Sequence, residues 1–310
     1  MLGDVPAGDL GRVDYHEHFF QRSPLLPGED LDDEELSGRE AVLLRRSGFE
    51  AVVDATPLGL GRDAPGVARI SRASGLAVVL TTGAHRSAHY PPGHPVPAAP
   101  SAVLARRFTT DLVEGAAEDL HGGAQGAGEP AGAVRAGVLK VGIDYWRIDG
   151  FAHRVVEAVA AAHERTGAPV VVHLEHGSAA HEVLDLLGAA GVAPARVALA
   201  HVDRNPDPGL HVSLAERGAY LGYDGAARHR THPDSVLLDC LSRVVEAGAG
   251  ARVLLGGDVA RRSRYVAYGG MPGLAYLGER FVPRLQLAVG AAAVDAVLRD
   301  NPARWLTWVR

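Results

Sequence analysis

Residues 168–173 read APVVVH and residues 196–201 read RVALAH. Each is a short run of apolar, largely β-branched residues with no polar alternation, ending in a histidine. An unbroken apolar run of this length fits a strand covered on both faces, as in a parallel sheet flanked by helices. Working outward, six more runs share the pattern: GRVDY (11–15), EAVVDAT (50–56), LAVVLTT (76–82), GVLKVG (137–142), GAYLGY (218–223) and RVLLGGD (252–258). Between them lie stretches with helical spacing. Residues 150–166 place Phe151, Val155, Val156 and Val159 on one face and end at Gly167, suited to the left-handed residue after a helix. Residues 178–191 and 233–248 repeat the pattern with Val183, Leu184, Leu186 and Leu187, then Val236, Leu237, Leu241, Val244 and Val245.

Eight strands alternating with helices predict an α/β fold, a (β/α)8 TIM barrel. A doubly wound open sheet is the competing topology, but no Gly-x-Gly-x-x-Gly turn follows the first strand. Length alone allows about two domains, yet the chain of 310 residues carries no internal repeat, so residues 1–310 are expected to form one barrel domain. Two stretches read as loops. Residues 121–133 (HGGAQGAGEPAGA) are expected to be mobile. Residues 85–100 (HRSAHYPPGHPVPAAP) are rich in proline and expected to shape a pocket rim.

Composition sets bounds on function. A net charge of −6 gives no bulk attraction for nucleic acid. The one cysteine, Cys240, excludes an internal disulfide and fits a reducing compartment. The N-terminus shows no basic segment followed by an apolar one, and no run of about 18 apolar residues occurs. A cytoplasmic enzyme acting on a small molecule is expected, with no nucleic-acid or membrane partner and a homodimer left open.

In a barrel the chemistry gathers at the C-terminal ends of the strands. His16 and His18 follow strand 1 and alternate, so they face one side. Lys140 lies inside strand 4. His173 ends strand 5, His201 ends strand 6 and Asp258 ends strand 8. Each has an ordinary reading: a strand-end histidine usually hydrogen-bonds a loop, and a strand-end aspartate can cap a helix. With 15 histidines in the chain, a His-x-His pair also arises by chance. The ordinary readings fail together, because these positions follow one rim in order. Imidazoles and a carboxylate suit Zn, Mn, Fe or Co. A pair of such ions, roughly 3.5–4 Å apart, needs a bridging anion. A buried lysine has a lowered pKa, so its neutral amine can add CO2 and become a carbamate. A carbamylated Lys140 would supply that bridge.

These residues, with the C-terminal Asn301-Pro302-Ala303-Arg304-Trp305-Leu306, resemble the phosphotriesterase family of the amidohydrolase superfamily over nearly the whole chain. The resemblance implies that His16, His18 and Asp258 hold the more buried of two divalent ions. His173 and His201 hold the other, and carbamylated Lys140 and a hydroxide bridge both. Further stretches resemble the branch that hydrolyses phosphorylated sugar lactones: TPLGLGRD (56–63), TTGAHRSAHYPP (81–92), HVDRNPDP (201–208), GAYLGYDG (218–225), HPDS (232–235) and GGDVARRSRYVAYGGMPGLAYL (256–277). In that branch a basic residue after strand 7, with an Arg and a Tyr after strand 8, hold the phosphate. Here the substrate-binding candidates are Arg228, Arg230, Arg261, Arg262, Arg264 and Tyr265, with His85 on the strand-3 loop. Arginines stand in DGAARHR (224–230) where lysines are the branch's pattern, and arginine prefers bidentate contact.

The expected reaction is opening of a lactone ring, most specifically a phosphorylated furanose lactone, by attack of the metal-bridging hydroxide. Asp258 takes the proton and delivers it to the leaving ring oxygen. The alternatives are a phosphotriesterase or unphosphorylated-lactone hydrolase on the same metals, and a barrel that binds ligand without turnover. A serine hydrolase is disfavoured by the absence of a Gly-x-Ser-x-Gly elbow.

Overall fold

The computed structural model describes residues 3–121 and 133–309. Residues 122–132, most of the stretch expected to be mobile, lie outside the described residues. Eight parallel strands run in chain order, each paired with the next: β1 Val13–Glu17, β2 Ala51–Asp54, β3 Ala77–Gly83, β4 Ala136–Ile143, β5 Val170–Leu174, β6 Val197–Ala200, β7 Tyr220–Tyr223 and β8 Val253–Leu255. The order has no reversal point, so the open doubly wound sheet is excluded. At the seam the Asp258 amide donates to the His16 carbonyl at 2.8 Å, joining β8 to β1.

Helices fill the crossovers. They are α1 Glu34–Arg46, α2 Ala64–Ser74, the short α3 Pro95–Ala98, α4 Ser101–Val113, α5 Gly150–Thr166, α6 Ala180–Ala189, α7 Pro208–Glu216 and α8 Asp234–Glu246. After β8 come α9 Val282–Val289, α10 Ala291–Asp295 and α11 Asn301–Leu306. Local chemistry sets several boundaries. Asp33, Asp63 and Asp149 each accept a backbone amide at the start of α1, α2 and α5. Gly167 ends α5 with φ +75°, as its sequence position suggested. The proline-rich loop is ordered by α3 and by a turn at Ser87–His89. None of the described helices is long and apolar enough to cross a membrane.

Strand alternation divides the core in two. Val52, Leu80, Leu139, Val141, Val172, Leu199 and Leu221 face the helices. Val13, Tyr15, Ala51, Val53, Val138, Val171, Ala198, Tyr220 and Leu254 fill the interior. Lys140 and His173 keep the parity of Val138 and Val171, so the pleat itself directs them inward. At the rim the backbone leaves the pleat: His201 and Asp258 take φ +67° and +41°. Strand β8 is shorter than the apolar run because the chain crosses closely over β1 there. A Cβ on Gly257 would lie 2.0 Å from Glu17 Oε1.

The barrel floor is plugged by Leu10, Trp305 and Leu306. Trp305 is fully buried, and its ring meets Tyr15 edge-on at 6.3 Å. Asn301 anchors α11 through Nδ2, which donates to the carbonyls of Gly250 at 2.9 Å and Val253 at 2.7 Å. Truncation of so large a buried ring leaves a cavity, so Trp305→Ala is expected to cost about 3–5 kcal/mol. Urea unfolding followed by circular dichroism checks this, and an unchanged midpoint would show that the plug contributes nothing.

Candidate metal centre

His16, His18, Asp258 and His201 converge at the barrel mouth. Ligand-capable atoms of His16, His18 and Asp258 lie within 4.8 Å of one another, as do those of His16, His201 and Asp224. All are buried. His173 joins them, with Nδ1 at 2.8 Å from His201 Nε2. Lys140 is buried beneath, its Nζ donating to the Ala55 carbonyl at 2.8 Å, and its charge is felt by His18, His85 and His173.

The outer partner of each ring decides which nitrogen is free. Asp224 accepts from Nδ1 of His16 at 3.2 Å and Nδ1 of His201 at 2.6 Å. Thr56 Oγ1 gives its own proton to the Phe20 carbonyl, so it accepts from His18 Nδ1 at 2.7 Å. Glu175 accepts from His173 Nε2 at 3.0 Å. These bonds leave lone pairs on Nε2 of His16, His18 and His201 and on Nδ1 of His173. Burial depresses the histidines: His18 to about 4, His201 to about 3 and His173 well below its usual value. Those three rings are uncharged at neutral pH.

This arrangement tests whether a metal fits. His201 Nε2 and His173 Nδ1 face each other with no proton to share. Asp258 Oδ1 lies 3.7 Å from both His16 Nε2 and His18 Nε2, beyond hydrogen-bond range. Ligands about 2.0–2.2 Å from one tetrahedral ion lie roughly 3.3–3.6 Å apart. Unprotonated nitrogens and a carboxylate thus converge with no protein hydrogen between them, and a cation is what such a set satisfies. The residues fit.

Asp258 is also clamped on its other oxygen: Arg204 and Arg228 donate to Oδ2 at 2.7 and 2.5 Å. Burial opposes its ionisation, but Arg228 and the histidines outweigh that and hold the carboxyl well below the usual range. Burial lowers Lys140 to about 8, which brings its neutral amine within reach of physiological pH.

The substrate-binding candidates divide. Arg228 and Arg264 turn to the centre, both reaching the Asp258 carbonyl. His85 is buried, its ring stacked on His89 at 3.9 Å and 4.4 Å from that of His173. Arg230 and Arg261 are exposed. Arg262 lies over the Tyr268 ring at 5.1 Å and 3.9 Å from Asp32, away from the mouth. Tyr265 is buried, and its hydroxyl donates to the His18 carbonyl. Sequence reasoning missed Asp224, Thr56, Glu175 and Arg204. Asp224 directly follows β7 and obeys the same strand-end rule that marks the ligands. A cavity of about 690 Å3 between α1 and α2 lies on the outer wall and holds none of these groups.

An eight-stranded parallel barrel with convergent imidazoles and a carboxylate at its strand ends defines the class, a hydrolase of the amidohydrolase type. The chain belongs to the phosphotriesterase family, whose model matches residues 1–306. It is 30% identical over 322 residues to the phospho-furanose lactonase of Mycoplasmopsis agalactiae, covering 99% of this chain and 90% of that protein. The crystal structure of a lactonase from Listeria monocytogenes superposes with a TM-score of 0.88 at 28% identity, covering 99% of this chain and 98% of that one. The Escherichia coli phosphotriesterase homology protein, solved with phosphate in its active site, gives 0.86 at 26% identity, covering 98% of this chain and all (100%) of that one.

Because Asp224 orients two of the rings, Asp224→Asn is expected to weaken metal retention about 10- to 100-fold while leaving the circular dichroism spectrum unchanged. Competition against a chelator, with metal content measured at each step, reads this. Wild-type retention would remove Asp224 from the orienting role.

Proposed function

We propose that this hydrolase opens lactone rings, and that its substrate is a sugar lactone of furanose type bearing a phosphate. The observation that carries the anionic part is electrostatic. Arg228 and Arg264 lie side by side in the half-buried mouth, and burial with the like charge of Arg228 presses Arg264 down to about 10. Arg228 Nε and Arg264 Nη2 are buried without a hydrogen-bond partner. Two adjacent guanidiniums with idle donors fit an anion, and phosphate oxygens match such forks. The relative named a phospho-furanose lactonase supports the same reading.

His16, His18 and Asp258 would hold one divalent ion, zinc or a similar metal, and His173 and His201 the other. Lys140, carbamylated by CO2, would serve both. When bound, such ions supply Lewis acidity that polarises the ester carbonyl and lowers the pKa of water towards about 7. The protein's own groups do the rest. Arg228 and Arg264 fix the phosphate and so the register of the ring. His85 Nδ1 accepts the Arg86 amide at 2.7 Å, leaving its proton on Nε2 as a donor towards the bound lactone. Asp258 receives the proton of the attacking water and returns it to the ring oxygen as the C–O bond breaks, giving a hydroxy acid. Its arginine clamp keeps it a weak base that does not retain that proton.

A pH-indicator assay on lactones with and without a terminal phosphate tests the reading. Arg264→Ala is expected to lower kcat/KM for the phosphorylated lactone about 10- to 150-fold and to leave the bare lactone unaffected, while Arg228→Ala, which also releases Asp258 Oδ2, slows both lactones and the phosphorylated one more. Equal losses on both would remove the phosphate and leave a plain lactonase or phosphotriesterase.

Lys140 gives a pH test. Its ammonium cannot add CO2, and the neutral fraction rises through a pKa of about 8. Reactivation of metal-stripped protein with zinc, at one dissolved CO2 concentration maintained at both pH values, should therefore be roughly 10- to 25-fold faster at pH 8.5 than at pH 6.5, and Lys140→Ala should not reactivate. A pH-independent rate would argue against the carbamate.

A further inference from the structure

A cavity of about 710 Å3 opens on the β3 to β6 side of the mouth, opposite Arg228 and Arg264. Its walls include Arg86, Asp144, Tyr145, Trp146, Glu175 and Arg204. It adjoins the metal-type cluster at two points, since Glu175 bonds His173 and Arg204 bonds Asp258. Its size falls within the range of small-molecule sites, about 300–1,000 Å3.

Two features define what it would take. The first is an aromatic corner, in which the Tyr145 and Trp146 rings meet at 71° with their centroids 6.5 Å apart. Tyr145 and Trp146 are 58% and 64% exposed, whereas the other large aromatic side chains among the described residues are mostly packed away. The turn that presents them is held firmly. Trp146 takes φ +48°, which bulky residues avoid. Its amide donates to Ser178 Oγ at 3.0 Å, and the Tyr145 amide donates to Asp144 Oδ1 at 2.9 Å. The second feature is charge balance. Arg86 bonds Asp144 at 2.9 Å and Glu175 at 3.0 Å, and Arg204 is spent on Asp258. With two arginines and two carboxylates in the lining no excess charge remains to draw an ion, but the partly exposed guanidiniums remain donors and the carboxylates keep lone pairs. An apolar aromatic face beside balanced donors and acceptors is complementary to a sugar, whose C–H face is apolar and whose edge carries hydroxyls.

We propose that this cavity is a subsite for a neutral, hydroxyl-rich carbohydrate portion of the substrate, stacked on Trp146 with Tyr145 at its edge and hydrogen-bonded along Arg86, Glu175 and Arg204. The proposal rests on the lactone-opening reading for the position of the scissile bond. The hydroxylated face of the substrate then points towards β4 and β5 while its anionic end lies at β7 and β8.

The test compares D-ribono-1,4-lactone, a hydroxylated ring, with γ-butyrolactone, a bare one, on the metal-loaded protein. Trp146→Ala and Tyr145→Ala should each raise KM for the hydroxylated lactone about threefold to tenfold, leave kcat unchanged and leave γ-butyrolactone unaltered. A KM shift common to both lactones, or absent from both, overturns the subsite. Where the wild-type protein opens neither of these lactones nor a phosphorylated furanose lactone, tryptophan emission decides. D-Ribose that quenches wild-type emission but not that of Trp146→Phe leaves the subsite standing while the lactone reading fails, and no such difference overturns the subsite as well.

Discussion

Asp224 accepts hydrogen bonds from the Tyr15 hydroxyl, from Nδ1 of His16 and from both Nδ1 and the backbone amide of His201, while its own amide donates to Asp203 Oδ2 at 2.9 Å. One carboxylate thereby ties the ends of β1, β6 and β7 together. A charge this deeply buried persists only where several donors compensate its desolvation. Burial favours the protonated acid, yet His201 and His16 hold Asp224 far below the usual carboxylate range. The consequence is directional. By occupying Nδ1 of two rings, Asp224 fixes which nitrogen of each faces the mouth, and the lone pairs that make the centre a cation site follow from that choice.

The two sides of the mouth are built on opposite electrostatic plans. On the β7 and β8 side, Arg228 and Arg264 crowd together and retain unpartnered donors. On the β3 to β6 side, Arg86 is matched by Asp144 and Glu175, and aromatic rings take up the remaining wall. A ligand with one anionic end and one neutral, hydroxylated end would be read in a single orientation by that asymmetry. Charge distribution would then supply specificity that the metal donors cannot, because they act on any ester carbonyl brought to them. Arg204 belongs to both sides, lining the cavity while holding Asp258.

How much of this was legible in the sequence depends on what each feature rests upon. The barrel could be read because strands covered on both faces must be continuously apolar, and each of the eight runs overlaps a strand of the structure. The rim positions of His16, His18, His173, His201 and Asp258 could be read because a strand end is a place in the pattern. Lys140 was visible as a charge within an apolar run. Asp224, directly after β7, obeys the same rule. Thr56 and Glu175 left no trace, since their roles depend on which ring nitrogen each can reach. Loop arginines resist reading for a related reason, because spacing along a loop does not set direction. Tyr268 and Asp32 turn Arg262 aside, and the His18 carbonyl takes the hydroxyl of Tyr265.

Tyr15 shows why stability and chemistry are hard to separate in this barrel. Its ring meets Trp305 on the floor side at 6.3 Å, and its hydroxyl reaches Asp224 on the mouth side. The column passes through the interior only because position 222 in β7 is glycine, where a Cβ would lie 2.1 Å from the Tyr15 hydroxyl oxygen. The glycine withholds a side chain from the interior, the phenol fills that space, and the phenolic proton compensates a buried carboxylate. The carboxylate in turn orients His16 and His201. Packing at the closed end of the barrel and lone-pair direction at its open end are therefore set by one continuous stack of contacts. This explains how so small a chemical centre can be held rigidly by strand termini that are each only a few residues long.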